Sequence, residues 1–134
     1  MTRHFENPDV KAVFDGLPGG MRDTAMTLRD LIFDVAQDSP QVGRVEETLR
    51  WGQPSYLTPD TKSGSTLRIG LAKSGGVAIF AHCATDIIST YAATFAGSDQ
   101  IEGNRAVIFQ DRSDIVPDRI RLLIFHGLTY HLKR

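Results

Sequence analysis

Apolar residues recur at helical spacing in the first forty positions. A shorter helix is predicted in NPDVKAVFDGLP, where Asn7 caps the first turn, Pro8 lies within it and Gly16 ends the helix. A longer helix is predicted in PGGMRDTAMTLRDLIFDVAQDSP, because its apolar residues follow the three- and four-residue intervals of one buried face. These residues are Met21, Ala25, Leu28, Ile32 and Val35.

The pattern changes to two-residue alternation in the second half of the chain. In STLRIGLA, Leu67, Ile69 and Leu71 alternate with polar or small residues, which predicts a half-buried strand. The glycines of KSGG predict a hairpin turn that leads into the strand VAIFAHC. Two more strands are predicted in QPSYLT and NRAVIF. The four strands lie near residues 54–58, 66–72, 77–83 and 105–109.

Two further helices complete the prediction. TDIISTYAATFAG and VPDRIRLLIFHGLTYHLKR each begin with a residue that suits a helix start, and VGRVEETLRW is predicted to add a helical turn before the first strand. The predicted order is ααβββαβα. It indicates an α+β fold of two layers, with helices packed on one face of an antiparallel sheet. We treat residues 1–134 as a single domain.

Composition narrows the function only slightly. A formal net charge of −1 argues against a nucleic-acid binder. One cysteine, Cys83, rules out an internal disulfide and suits a reducing compartment. No stretch of the sequence has the length of a membrane span or the pattern of a signal peptide. We therefore expect a cytoplasmic protein without membrane contact, and no motif predicts a cofactor.

The segment VEETLRWGQPSY contains the only tryptophan. Its pattern of Glu47, Leu49, Trp51, Gly-Gln-Pro (52–54) and Tyr56 resembles the signature of the YdhG-like family. These are small bacterial domains of unknown function, some of them described as frataxin-like iron chaperones. The resemblance extends over roughly residues 8–132. It implies an α+β fold and no agreed reaction.

The same segment contains the main candidate site. Gly52 and Pro54 predict a helix-to-strand corner, with Trp51 as an apolar plug beneath it whose edge lines a shallow groove with Tyr56. The alternative is that Trp51 is mainly the wall of a ligand groove. Glu47 is either a ligand-facing carboxylate or the partner of Arg44 or Arg50, each three residues away.

A row of aspartates marks a second candidate site. Asp30, Asp34 and Asp38, together with Asp23, share one side of the long predicted helix. Carboxylate oxygens suit hard cations such as ferrous iron. A polar stripe opposite an apolar one is also what any amphipathic helix shows, and no histidine accompanies these aspartates. Both interpretations stay open.

Three function classes follow. We favour non-enzymatic binding of a small molecule or a protein partner, and a basic residue converging with Trp51 would favour an anionic ligand. Iron delivery through surface carboxylates is the first alternative. An enzyme without a recognised motif is the second, since no nucleophile elbow, P-loop or zinc-helix motif is present. A homodimer is compatible with the sequence. The predicted ligand-binding residues are Glu47, Trp51, Pro54, Tyr56, Arg68 and Arg105.

Overall fold

The computed structural model describes residues 3–132, which form four helices and one six-stranded antiparallel sheet. The strand order across the sheet is β1-β2-β3-β4-β6-β5. The strands are β1 (Glu46–Arg50), β2 (Gln53–Leu57), β3 (Leu67–Leu71), β4 (Val77–Phe80), β5 (Gln100–Glu102) and β6 (Ala106–Phe109). The helices are α1 (Pro8–Asp15), α2 (Met21–Gln37), α3 (Ile87–Thr94) and α4 (Pro117–Leu128), and a short 3-10 turn (Arg112–Asp114) precedes α4.

The predicted fold class is confirmed, and local sequence signals explain where the helices begin. The Asn7 side chain accepts hydrogen bonds from the backbone N–H groups of Asp9 and Val10 at 2.9 and 3.3 Å, which caps α1. Pro8 and Pro117 lie in the first turns of α1 and α4, where a missing N–H costs nothing. No helix within residues 3–132 combines the length and apolarity that a membrane crossing requires.

The structure differs from the prediction at two strands. Residues 46–50 form β1, which pairs with β2 in the register Glu46↔Leu57 to Arg50↔Gln53. The helical turn predicted in VGRVEETLRW is therefore wrong. Residues 100–102 form the short β5 at the other edge of the sheet, which the sequence pattern did not indicate. The four predicted strands are present as β2, β3, β4 and β6.

The main core lies between the sheet and the helices. Leu67 and Ile69 of β3 point into it and are buried against α2 and α4, with Ile32 and Ile124 among the fully buried residues. At Gly127 of α4, an added Cβ would lie 2.9 Å from Leu67 Cδ2. This glycine therefore lets α4 approach the sheet closely.

The opposite face of the sheet has a smaller apolar cluster. Ala78 and Phe80 of β4 and Ala106 and Ile108 of β6 are buried there, apart from the main core. Strand alternation places Arg68 of β3 on this same face, directly opposite Phe80 in the β3–β4 register. We call this the outer face of the sheet.

Candidate functional site: an arginine and a tryptophan on the outer face

Trp51 lies at the tip of the β1–β2 hairpin. Arg50 pairs with Gln53, so Trp51 and Gly52 form a two-residue turn with φ angles of 52° and 74°. Positive φ at both positions is what a tight hairpin turn of this kind requires, and glycine tolerates it while tryptophan does so at a cost. The Trp51 side chain is 86% exposed. The prediction that it plugs a corner of the core is therefore wrong, because the corner joins two strands and not a helix and a strand.

The guanidinium of Arg68 lies over two aromatic rings. Its guanidinium carbon is 5.1 Å from the centroid of the Trp51 ring and 5.7 Å from that of Phe80. Partial burial lowers the pKa of Arg68 from its ordinary value, and repulsion from the nearby Arg105 lowers it further. Within residues 3–132, no side chain or carbonyl accepts a hydrogen bond or ion pair from this guanidinium. Arg68 is thus a partly desolvated cation without an anionic partner.

A depression of about 290 Å³ adjoins Trp51 and Arg68. We call it the outer-face site. Its remaining walls come from the end of β1, the segment before β3, the loop after β4 and the chain beyond α4. They are Arg50, Gly64, Ser65, Thr66, His82 and His131. These wall residues include no aspartate or glutamate, so within the described chain the charged side chains that line the depression are all basic.

His82 adds a directed donor to this site. Its Nδ1 accepts a hydrogen bond from the backbone N–H of Ala84 at 3.0 Å. In a neutral imidazole this places the proton on Nε2, which is then free to donate to a ligand. Neither His82 nor His131 is among the residues predicted from the sequence to bind a ligand. No local signal could have indicated them, because the sheet brings together residues that are far apart in the chain.

Glu47 lies outside this site and is buried beneath β1. The Arg29 Nε and Nη2 donate to its two carboxylate oxygens at 2.6 and 2.9 Å, and the Tyr56 hydroxyl donates to Oε2 at 2.8 Å. The prediction that Glu47 pairs with Arg44 or Arg50 is wrong. Arg44 pairs with Asp60 at the surface, at 3.2 Å. The ion-pair interpretation of Glu47 holds with Arg29, a residue of α2.

Tyr56 also belongs to the core. It is fully buried, and burial followed by repulsion from the Glu47 carboxylate raises its pKa well above the ordinary tyrosine value. The groove predicted between Trp51 and Tyr56 is therefore wrong, since the two side chains lie on different sides of the sheet. Pro54 lines a separate depression with Gly70 and residues of α1.

Of the six predicted ligand-binding residues, the structure brings together two at the outer-face site, Trp51 and Arg68. Arg105 lies near enough to lower the pKa of Arg68 but does not line the depression. The other three are the buried or separately placed Glu47, Pro54 and Tyr56.

The aspartates of α2 do not converge on a cation site. Asp34 and Asp38 are exposed, whereas Asp30 is half-buried and lines a mixed-charge depression with Lys11 and Arg22. Within the described part of the chain, no group of three or more histidine, cysteine, aspartate or glutamate side chains is arranged to hold a metal ion. Iron delivery stays a prediction without an assembled ligand set.

Comparisons with known proteins add no assignment. No protein-family model, curated protein or solved structure matches this chain significantly.

Proposed function

We propose that this protein binds a small anionic ligand at the outer-face site, with Arg68 as the main charge partner and Trp51 as a stacking surface. The observation that carries the proposal is the guanidinium of Arg68. It is partly buried between two rings and has no acceptor within residues 3–132. Partial removal of a charge from water without a partner costs free energy, and a bound anion would offset that cost.

The chemistry of arginine narrows the ligand class. A guanidinium presents parallel N–H donors that match a carboxylate or a phosphate in two-pronged fashion. Arg50 adds positive charge to the same walls, and the Nε2–H of His82 adds a neutral donor. An anion entering the site would meet no opposing carboxylate among the wall residues.

Trp51 indicates what else the ligand contains. A large exposed aromatic side chain in a left-handed backbone conformation combines two unfavourable features, and such features persist mainly where function needs them. An exposed indole offers a flat apolar surface for another ring. We therefore infer a planar ligand that bears a carboxylate or a phosphate.

The proposal is tested by fluorescence, since Trp51 is the only tryptophan and reports directly on the site. Benzoate and phenyl phosphate serve as anionic probes, and benzamide serves as the uncharged probe of similar shape. We expect saturable changes in tryptophan emission with the two anions and a weaker response with benzamide. Arg68→Gln should weaken anion binding by about ten- to a hundredfold, which corresponds to the loss of one charged hydrogen-bonded pair.

Arg44→Gln is the matched control. Arg44 is an exposed arginine that pairs with Asp60 away from the site, so this variant loses the same charge without touching the ligand. Equal affinity in wild type and Arg68→Gln would refute the proposal, as would equal losses in both variants. The second result would indicate a general charge effect and not a site.

A further inference from the structure

A second concavity lies between α3 and α4, on the side of the molecule that the helices form. Its volume is about 470 Å³. Cavities of roughly 300–1,000 Å³ with mostly apolar walls are typical of small-molecule sites. Its apolar wall residues include Ile87, Tyr91 and Phe95 from the α3 region and Leu122, Leu123 and Phe125 from α4.

Exposed apolar side chains are concentrated at this cavity. Of the six large hydrophobic residues that are exposed within residues 3–132, three line it. They are Leu122 (59% exposed), Phe125 (40%) and Leu132 (38%). A contiguous apolar surface of this kind marks an interaction site more often than scattered single residues do.

The polar groups of the cavity restrict what it can bind. The hydroxyls of Thr94 and Thr129 donate to the helix carbonyls of Thr90 and Phe125 at 2.7 and 2.6 Å, which leaves their oxygens as acceptors. None of the wall residues is a lysine or an arginine. His126 of the wall already faces the Asp86 carboxylate, with 3.2 Å between Nε2 and Oδ1.

The lack of lysine and arginine among the wall residues disfavours an anion, and the Thr94 and Thr129 oxygens can accept a hydrogen bond from an uncharged ligand. A carboxylate or sulfonate would find no free cation in the wall and would approach Asp86. An uncharged molecule would bury its rings against the leucines and phenylalanines and would donate to a threonine oxygen. The volume suits one such molecule, and it is small for a helix of another protein.

We propose that the cavity between α3 and α4 is a second binding site, which takes an uncharged, largely aromatic small molecule with one hydrogen-bond donor. It is separate from the outer-face site, and its wall residues include no arginine, whereas those of the outer-face site include two. One site offers unpaired positive charge, whereas the other offers apolar surface with acceptors.

N-phenylnaphthylamine is a suitable probe, because it is uncharged, has one N–H donor and becomes fluorescent in apolar surroundings. We expect saturable binding with one molecule per chain. Thr94→Phe should fill the cavity and weaken binding by at least about tenfold. Ala93→Phe is the matched control, since Ala93 is exposed on the same helix but does not line the cavity, and its binding should equal that of wild type.

Anilinonaphthalene sulfonate tests the charge argument, since it has the same rings and an added sulfonate. It is measured in an Arg68→Gln background, which removes the main anion partner of the outer-face site. We expect affinity at least about tenfold weaker than that of the uncharged probe. Equal affinity of the two probes would overturn the assigned ligand class.

Three other outcomes would overturn the site itself. They are absence of saturable binding by the uncharged probe, equal binding in wild type and Thr94→Phe, and a concentration-dependent dimer in sedimentation that Thr94→Phe abolishes. The last would make a second copy of this chain the occupant of the groove.

Discussion

Replacing Glu47 by glutamine should destabilise the protein severely although the change is isosteric. Arg29 is fully buried and the Glu47 side chain is only 7% exposed. Removing one partner of such a pair leaves an uncompensated buried charge, which costs about 3–5 kcal/mol. A domain of this size is stabilised by roughly 5–15 kcal/mol, so the variant would lose a large share of that stability.

The structure gives reason to expect the upper part of this range. Arg29 is also held by the carbonyls of Arg3 and His4 and is stacked on the ring of Phe5, with 3.8 Å from its guanidinium carbon to the ring centroid. The charge therefore cannot swing out to water without breaking other contacts. A glutamine amide would also direct an N–H₂ group at donors from Arg29 or Tyr56, which leaves at least one of them unsatisfied.

The assay is urea unfolding with linear extrapolation of the free energy. Asp60→Asn is the matched control, because it breaks an exposed arginine–carboxylate pair and should cost only about 0–1 kcal/mol. The double variant Arg29→Met with Glu47→Leu should recover much of the stability, since replacing both partners removes the unpaired charge. Equal losses in Glu47→Gln and Asp60→Asn would refute the reasoning.

Three further predictions concern single side chains. Gly127→Ala should destabilise by about 1–3 kcal/mol in urea unfolding, because the new Cβ would press against Leu67; a neutral effect would contradict the close approach of α4 to the sheet. The pKa of Tyr91 is raised to about 12, first by burial and then by its hydrogen bond to Asp99, so the neutral phenol stabilises the fold below pH 10 and this contribution is lost as the pH rises toward 12. Tyr91→Phe should therefore lose less unfolding free energy than wild type as the pH rises from 10 toward 12. An equal loss in both proteins would contradict this assignment. Trp51→Ala should change stability by no more than about 0.5 kcal/mol, and wild-type emission should be red-shifted as for tryptophan in water; a blue-shifted maximum would indicate burial.

The helices and the paired strands follow from local patterns. The apolar spacing of α2 and the alternation in β3 each indicate which face of the element is buried, even when the element that packs against that face is not known. The alternation around Arg68 also placed that residue opposite Leu67 and Ile69, which is where the structure has it. The face on which a candidate side chain lies could therefore be predicted wherever the periodicity of a single helix or strand determines it.

The strand β1 shows where local patterns fail. Val45 and Leu49 are four residues apart, which is a helical interval, and between them a strand would have to bury Glu47. A charged residue in the buried face of a strand contradicts simple alternation. The contradiction is resolved by Arg29, 18 residues upstream on α2, whose guanidinium satisfies the carboxylate. Nothing in the segment itself predicts that partner.

Trp51 failed as a prediction for a related reason. Gly52 and Pro54 correctly indicated a sharp change of direction, but the geometry of the change depends on what precedes it. With β1 as a strand, Trp51 and Gly52 become the two tip residues of a hairpin and the indole points into solvent. Whether residues 46–50 form a helix or a strand thus decides whether Trp51, the next residue, is buried or exposed.

Two arginines within residues 3–132 each lie over two aromatic rings, and the difference between them is the main argument for a ligand. Arg29 lies between Phe5 and Phe33, and it donates to a carboxylate and two carbonyls, so its charge is satisfied within the protein. Arg68 lies between Trp51 and Phe80, and it has no acceptor anywhere in residues 3–132. Arg29 is fully buried and Arg68 only partly buried, but both lie over two rings. Since a carboxylate completes the contacts of Arg29, we infer that an anion from outside the chain completes those of Arg68.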